Sequence, residues 1–173
     1  MKCLATVKSE KIKKMKNNSV NDALEIVLVA MSYCLLKCFK YSENKVMKIH
    51  EKIEWYAIIC LDKEEKEVTY ETYTEILKDD YNFTLDFDKR NLAGLAKAEM
   101  MAASSQNSSM LWILTIVAYI LFDKFGLNEK RVNTIMKRIQ YHTSLMTENK
   151  KTVQQYKDIL KKEFDCEFDF RGV

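Results

Sequence analysis

Apolar residues recur along most of this chain at the 3.6-residue spacing of an amphipathic helix. One clear instance near the C-terminus places apolar side chains at i, i+3, i+4 and i+7: Val132, Ile135, Met136 and Ile139. Two segments, Asp22–Phe39 and Ser108–Phe125, are apolar almost all round, which is typical of helices buried on more than one side. The pattern therefore predicts a mainly all-α fold with these two helices at its centre.

The hydrophobic pattern occurs twice. Ser32–Phe39 lies over Ala118–Phe125 at an offset of 86, and beyond a shorter loop Tyr73 matches Tyr156 at an offset of 83. We predict two tandem copies of a three-helix unit, residues 1–87 and 88–173, that form a pseudo-twofold bundle. Each unit alone would have only about 65 packed residues, so one core shared by both units is favoured over two separately folded domains.

Helix starts are marked by capping residues. Ser42 and Asn128 each precede a glutamate and are good N-caps for the second helix of each copy. Thr152 with Gln155 three residues on is a capping-box pattern that predicts the start of the last helix. The segment 92–103 is predicted to be a further helix, ending at the polar stretch Ser104–Asn107.

The spacing of apolar residues changes from 3.6 to 2 at the end of each copy. Residues 83–87 (FTLDF) and 166–170 (CEFDF) alternate apolar and polar side chains. This alternation predicts two short strands. The alternative is a pair of extended tails docked by their phenylalanines, because two strands alone are marginal in water.

Composition excludes several classes of protein. The chain has no proline and three glycines, too few for the turns of a β-sandwich or for a glycine-rich phosphate loop. Five cysteines without a framework spacing, and a polar segment at residues 11–19 where a signal peptide would be apolar, favour reduced thiols in a cytoplasm. The longest apolar runs, residues 23–36 and 110–122, are shorter than the roughly 20 residues of a membrane span. We expect buried core helices and no membrane association.

Candidate catalytic chemistry is sparse. His50 and His142 occupy different positions of the repeat, so no histidine site is duplicated. Cys34 and Cys38 are four residues apart on a predicted helix, but a tetrahedral zinc site needs four ligands. No nucleophile has a histidine and an acid nearby, and no nucleotide-binding motif occurs. We predict no catalytic residue, no metal, no cofactor and no enzymatic activity.

Charge is distributed unevenly. Residues 1–87 contain 14 Lys and Arg against 15 Asp and Glu, whereas residues 88–173 contain 14 against 10. The first copy carries an acidic segment, our candidate partner-binding face: Asp62, Glu64, Glu65, Glu67, Glu71, Glu75, Asp79 and Asp80. The second copy carries four cations on the outer side of one helix, our candidate anion-binding or nucleic-acid-binding face: Lys130, Arg131, Lys137 and Arg138. Either set also suits a solvated helix face.

The second copy resembles a known family. Tyr119–Val132 is an apolar helix that ends in Asp-Lys-Phe-Gly and continues into a basic helix start. With the helix and acidic end that follow, residues 92–170 resemble small uncharacterised helical proteins encoded by phages and prophages of low-GC Gram-positive bacteria. The first copy departs from this pattern, with Cys38 and Lys40 where the second has Lys124 and Gly126. The resemblance implies a phage protein in the cytoplasm of a bacterial host, and it implies no activity.

Three functional hypotheses follow. The first is a non-enzymatic phage accessory protein that binds and inhibits a host protein, such as a CRISPR effector or another defence component, with the acidic segment occupying a basic channel. The alternative is a nucleic-acid or signalling-nucleotide binder, acting as regulator or sponge through the basic helix face. The third is a scaffolding homo-oligomer or homodimer in which the two apolar helices pack between molecules.

Overall fold

The fold is built from helices. The protein is described by a computed structural model over residues 21–61, 69–87, 97–148 and 150–166. These residues form six helices and no strand, which confirms the mainly all-α prediction. The helices are α1 (21–38, ending in a π-helical turn at Cys34–Cys38), α2 (Glu43–Leu61), α3 (Tyr70–Tyr81), α4 (Lys97–Asp123), α5 (Glu129–Thr147) and α6 (Val153–Phe164).

The predicted caps begin the helices of the second half. Asn128 Oδ1 accepts a hydrogen bond from the backbone N–H of Arg131 at 2.9 Å, which satisfies one free donor of the first turn of α5. At the start of α6, Thr152 Oγ1 accepts from the N–H of Gln155 at 3.1 Å. Gln155 Oε1 accepts in return from the N–H of Thr152 at 2.9 Å, which completes the predicted capping box.

Four of the described residues have a left-handed backbone, and they fall in matched pairs. Lys40 and Gly126, just after α1 and α4, have φ of 57° and 59°. Asn82 and Asp165, at the ends of α3 and α6, have φ of 48° and 52°. The first pair is 86 residues apart and the second 83. A left-handed residue after a helix lets the following N–H groups reach the last free carbonyls of that helix.

The centre of the molecule is formed by α1 and α4. Side chains on every side of both helices are buried, as the all-round apolar pattern predicted; they include Val27, Val29, Met31, Ile113, Ile116 and Val117. Buried residues of α1 through α6 belong to one hydrophobic cluster. The amphipathic α5 contributes one stripe to that cluster and leaves its opposite side in solvent.

The prediction that a helix ends at Ser104–Asn107 is wrong. Residues 97–123 form one continuous helix that passes through this polar stretch. Serine favours helix breaks because its hydroxyl competes for backbone groups. Here Ser108 and Ser109 donate to the carbonyls of Ser104 and Ser105 at 3.1 and 3.0 Å, so each hydroxyl is satisfied inside the helix. The predicted residues 92–96 lie outside the described part of the chain.

The first alternating segment is an extended tail. Residues 83–87 form no strand. Phe83 is buried, and its ring centroid lies 5.1 Å from that of Phe122 on α4. This is the arrangement of the alternative hypothesis, in which phenylalanines dock the tail. Of the second segment only Cys166 is described, and the lysine-rich residues 1–20 also lie outside the described ranges.

Each third helix packs on the central helix of the opposite half. On α3, the ring of Tyr73 lies 4.8 Å from that of Tyr119 on α4. On α6, the ring of Tyr156 lies 5.0 Å from that of Tyr33 on α1. Two ion pairs also join α6 to α1, Lys37 with Glu163 and Lys157 with Glu25. The helix α5 contacts α6 through His142 and Tyr156, and it contacts the end of α1 through Arg131 and Phe39.

Candidate functional site

The four predicted cations of α5 are all exposed on the outer side of that helix: Lys130, Arg131, Lys137 and Arg138. The opposite side carries the buried stripe that begins at Val132 and ends at Met146. The two pairs are seven residues apart, which brings them to nearly the same side two turns on. We call these four residues the basic face of α5.

The charges of the basic face are not neutralised by the described part of the protein. None of the four cations forms an ion pair with a described residue, whereas Lys37, Lys124, Lys150 and Lys157 each have a carboxylate partner. Only one acid, Glu129, lies near these cations along α5. The basic face is therefore a concentration of positive charge available to an external anion.

The two arginines lie along the boundary between α5 and α1. The guanidinium carbon of Arg131 is 4.8 Å from the centroid of the Phe39 ring, a cation–π contact that holds the arginine against the end of α1. Burial raises the pKa of the Cys34 thiol on α1, and the charge of Arg138 opposes that rise, which places this arginine near α1 as well. Packing against the Phe39 ring orients Arg131, whose side chain is otherwise exposed.

An exposed aromatic residue that was not predicted from the sequence lies beside the basic face. Tyr141 is 55% exposed. It follows Lys137 by four residues and Arg138 by three, so it lies next to both on the helix surface. Lys150, beyond the end of α5, also lies within electrostatic range of the Tyr141 hydroxyl. The signal was present, because Tyr141 falls outside the buried stripe of α5.

A buried polar cluster lies beneath Tyr141. The next residue, His142, is 8% exposed, and its Nδ1 shares a hydrogen bond of 2.7 Å with the Tyr156 hydroxyl. Tyr33 contacts both rings edge to face, at 4.9 Å and 5.0 Å. Burial, then Lys151 and Arg138, lower the pKa of His142. The imidazole is therefore neutral at pH 7, and the cluster is a support for α5 rather than a fifth cation.

The predicted acidic segment is described only in part. Glu71, Glu75 and Asp79 are four residues apart on α3 and are exposed, as is Asp80. Asp62, Glu64, Glu65 and Glu67 lie outside the described residues. Three of the eight residues of this candidate face, Glu71, Glu75 and Asp79, thus share one side of α3.

Two titratable groups outside these faces, His50 and Cys34, are buried in the core. Ser32 Oγ donates to the carbonyl of Leu28 at 2.7 Å, so it accepts from His50 Nε2–H, which lies 2.6 Å away. Burial lowers the pKa of His50 to about 4. Cys34 is buried, which raises the pKa of its thiol, and Cys38 is exposed. Among the described residues no group of three or more His, Cys, Asp or Glu side chains is placed to hold a metal ion.

One described helix is long and apolar enough to cross a membrane by length and composition, Ala103–Asp123 in α4. More than half of its most apolar window, 56%, is buried inside the fold. Core helices commonly meet the same criteria, so this is weak evidence of membrane insertion.

Comparison of the chain with protein-family models, with curated proteins and with solved structures gives no match. Function must therefore be inferred from the faces described above.

Proposed function

We propose that the protein is a non-enzymatic binding protein that binds nucleic acid through the basic face of α5. The observation that carries this proposal is the set of four exposed cations without an ion-pair partner among the described residues. Arginine and lysine contacts to phosphates supply most of the affinity in sequence-independent nucleic-acid binding. The contact of Arg131 with the Phe39 ring supports the proposal, because a cation held by packing loses less entropy on binding.

Charge reversal tests the proposal. We expect the double substitution Lys137→Glu with Arg138→Glu to remove most of the affinity for a labelled oligonucleotide in a fluorescence anisotropy titration. Lys48→Glu with Lys52→Glu is the matched control, because it makes the same change of net charge on exposed positions of α2. If both pairs weaken binding equally, the protein attracts nucleic acid through its total charge, and a specific role for α5 is excluded.

We also propose that the fold that carries this face is a tandem duplication with pseudo-twofold symmetry and one fused core. The bounds of α2 and α5 differ by 86 residues at both ends, and those of α3 and α6 by 83. Contacts across the halves also occur in matched pairs: Arg131 lies over the Phe39 ring, and Lys45, 86 residues earlier, lies 5.8 Å from the Phe125 ring. The reciprocal packing of third helices on opposite central helices supports the same symmetry.

A second candidate function remains the inhibition of a host protein in the bacterial cytoplasm by a phage accessory protein. The observation that favours it is the exposed row of Glu71, Glu75 and Asp79 on α3, which suits the basic channel of a nucleic-acid-handling enzyme. We expect a stoichiometric host protein to remain bound after nuclease treatment and a high-salt wash. That protein should be lost on substitution of Glu71→Lys with Glu75→Lys. Retention by this variant would exclude the acidic face.

A further inference from the structure

Tyr141 adds an aromatic surface to the basic face of α5. It is 55% exposed, and the large hydrophobic side chains exposed in the described residues are Met47, Trp55 and Tyr141. Aromatic platforms among basic groups are a recurring feature of surfaces that bind single-stranded nucleic acid.

The ring of Tyr141 contacts the ring of the buried residue His142. Its centroid lies 5.2 Å from that of His142, edge to face. His142 in turn is fixed by its 2.7 Å hydrogen bond to Tyr156 on α6 and by the edge of Tyr33 on α1. Three helices thus determine where the outer face of Tyr141 points, and a stacking surface gains affinity when its orientation is set before binding.

Phosphate-binding groups are within reach of that ring. Lys137 and Arg138 precede it by one helical turn, and Lys130 lies about 16 Å away along the helix axis. This spacing suits a strand segment of a few nucleotides, with phosphates against the cations and one base over the ring. Duplex bases are already stacked on each other and offer no free face to a tyrosine on a helix surface.

We propose that the basic face of α5 binds single-stranded nucleic acid, with Tyr141 as a stacking platform for one base and Lys137 and Arg138 as contacts to the adjacent phosphates. This inference rests on the proposed function. It adds the class of nucleic acid and the residue that selects it.

The first half of the chain provides a natural comparison. Trp55 on α2 is the residue 86 positions before Tyr141 and is 53% exposed. Its neighbour one turn earlier is Glu51, where α5 has Lys137. Lys52 lies 6.0 Å from the Trp55 ring, so one cation is present, but Glu51 and Glu54 surround it with negative charge. We expect α2, with three lysines against three glutamates, to attract phosphates less strongly than α5 does.

The test uses the whole protein and end-labelled oligothymidylate of about 20 nucleotides, with a duplex of the same length as the second probe. Anisotropy titrations compare the wild type with Tyr141→Ala, Tyr141→Phe and Trp55→Ala. We expect single strands to bind more tightly than duplex. Tyr141→Ala should lose about 10-fold in affinity for the single strand and little for the duplex. Tyr141→Phe, which keeps the ring, and Trp55→Ala should bind as the wild type does.

The outcomes separate the two proposals. Equal affinity for duplex and single strand, or an unchanged affinity in Tyr141→Ala, overturns the stacking role and leaves phosphate binding by α5 in place. An equal loss in Trp55→Ala also overturns it, because the aromatic position would then act independently of the local charge. Failure of the wild type to bind either probe overturns both proposals.

Discussion

The rings of Tyr33 and Tyr156 lie 5.0 Å apart, edge to face, although the two residues belong to opposite halves of the chain. Tyr156 also shares the hydrogen bond with His142 that supports α5. One side chain therefore joins the central helix α1, the last helix α6 and the helix that carries the proposed binding face.

Tyr156→Phe should destabilise the protein by about 1 kcal/mol, because it keeps the ring packing and removes the hydrogen bond to the buried His142. Tyr156→Ala should cost about 3–5 kcal/mol, since the whole buried ring is lost. Urea unfolding followed by circular dichroism measures both. Tyr141→Ala is the exposed control and should change the free energy of unfolding by less than about 0.5 kcal/mol. A Tyr156→Phe variant as unstable as Tyr156→Ala would show that the ring contacts contribute little.

His50 predicts a loss of stability in acid. Its pKa is about 4 in the folded protein, below the value of about 6.5 for an unfolded chain. Above pH 6.5 both states are neutral at this residue. Between pH 6.5 and 4 the unfolded state binds a proton that the folded state does not. The free energy of unfolding therefore decreases as the pH is lowered through this range, by about 3 kcal/mol in total. His142, whose pKa is also lowered, acts in the same direction.

The second half of the chain suggests a control variant for this pH dependence. The second half has Met136 and Ala118 at the positions 86 residues after His50 and Ser32. The double substitution His50→Met with Ser32→Ala should therefore be accommodated, and it should flatten the fall in stability between pH 7 and 4.5. Urea unfolding at several pH values measures the slope. An unchanged slope in the variant would assign the acid sensitivity to other groups.

Lys40 and Gly126 predict opposite effects of reciprocal substitutions. Both have a left-handed backbone, with φ of 57° and 59°, and this conformation costs a residue with a Cβ about 1 kcal/mol. Lys40→Gly should stabilise the protein by about that amount, and Gly126→Lys should destabilise it similarly. No atom lies within 4 Å of a Cβ built on Gly126, so no clash adds to the backbone term. Thermal unfolding of the two variants checks the signs; a loss well above this in Gly126→Lys would contradict a purely backbone origin.

Local signals in the sequence predicted the helix boundaries well. Asn128 and Thr152 begin α5 and α6 as predicted, because their caps depend only on residues within one turn. The end predicted at Ser104–Asn107 failed because the sequence shows the polarity of this stretch but not that the carbonyls of Ser104 and Ser105 accept from hydroxyls one turn further along the same helix. The packing of Tyr156 on Tyr33 could not be predicted, since periodicity shows which face is apolar and not which helix covers it.

The candidate site was also predicted only in part, because the sequence shows which residues are exposed but not which distant helix they contact. Exposure of Lys130, Arg131, Lys137 and Arg138 follows from their positions opposite the apolar stripe of α5. The contact of Arg131 with Phe39 and the support of Tyr141 by His142 depend on α1 and α6, which lie far away in sequence. The sequence thus predicts a charged side of α5, and contacts with α1 and α6 orient the side chains on it.

The salt dependence of binding is the most direct measurement of nucleic-acid recognition by α5. The affinity of the wild type for a single-stranded oligonucleotide is measured by anisotropy over a range of salt concentrations. If all four cations contact phosphates, the logarithm of the binding constant should fall linearly with the logarithm of the salt concentration, with a slope of about −3. In Lys137→Glu with Arg138→Glu the slope should be about half as steep. A slope near zero, or no binding at low salt, would contradict phosphate recognition by this face.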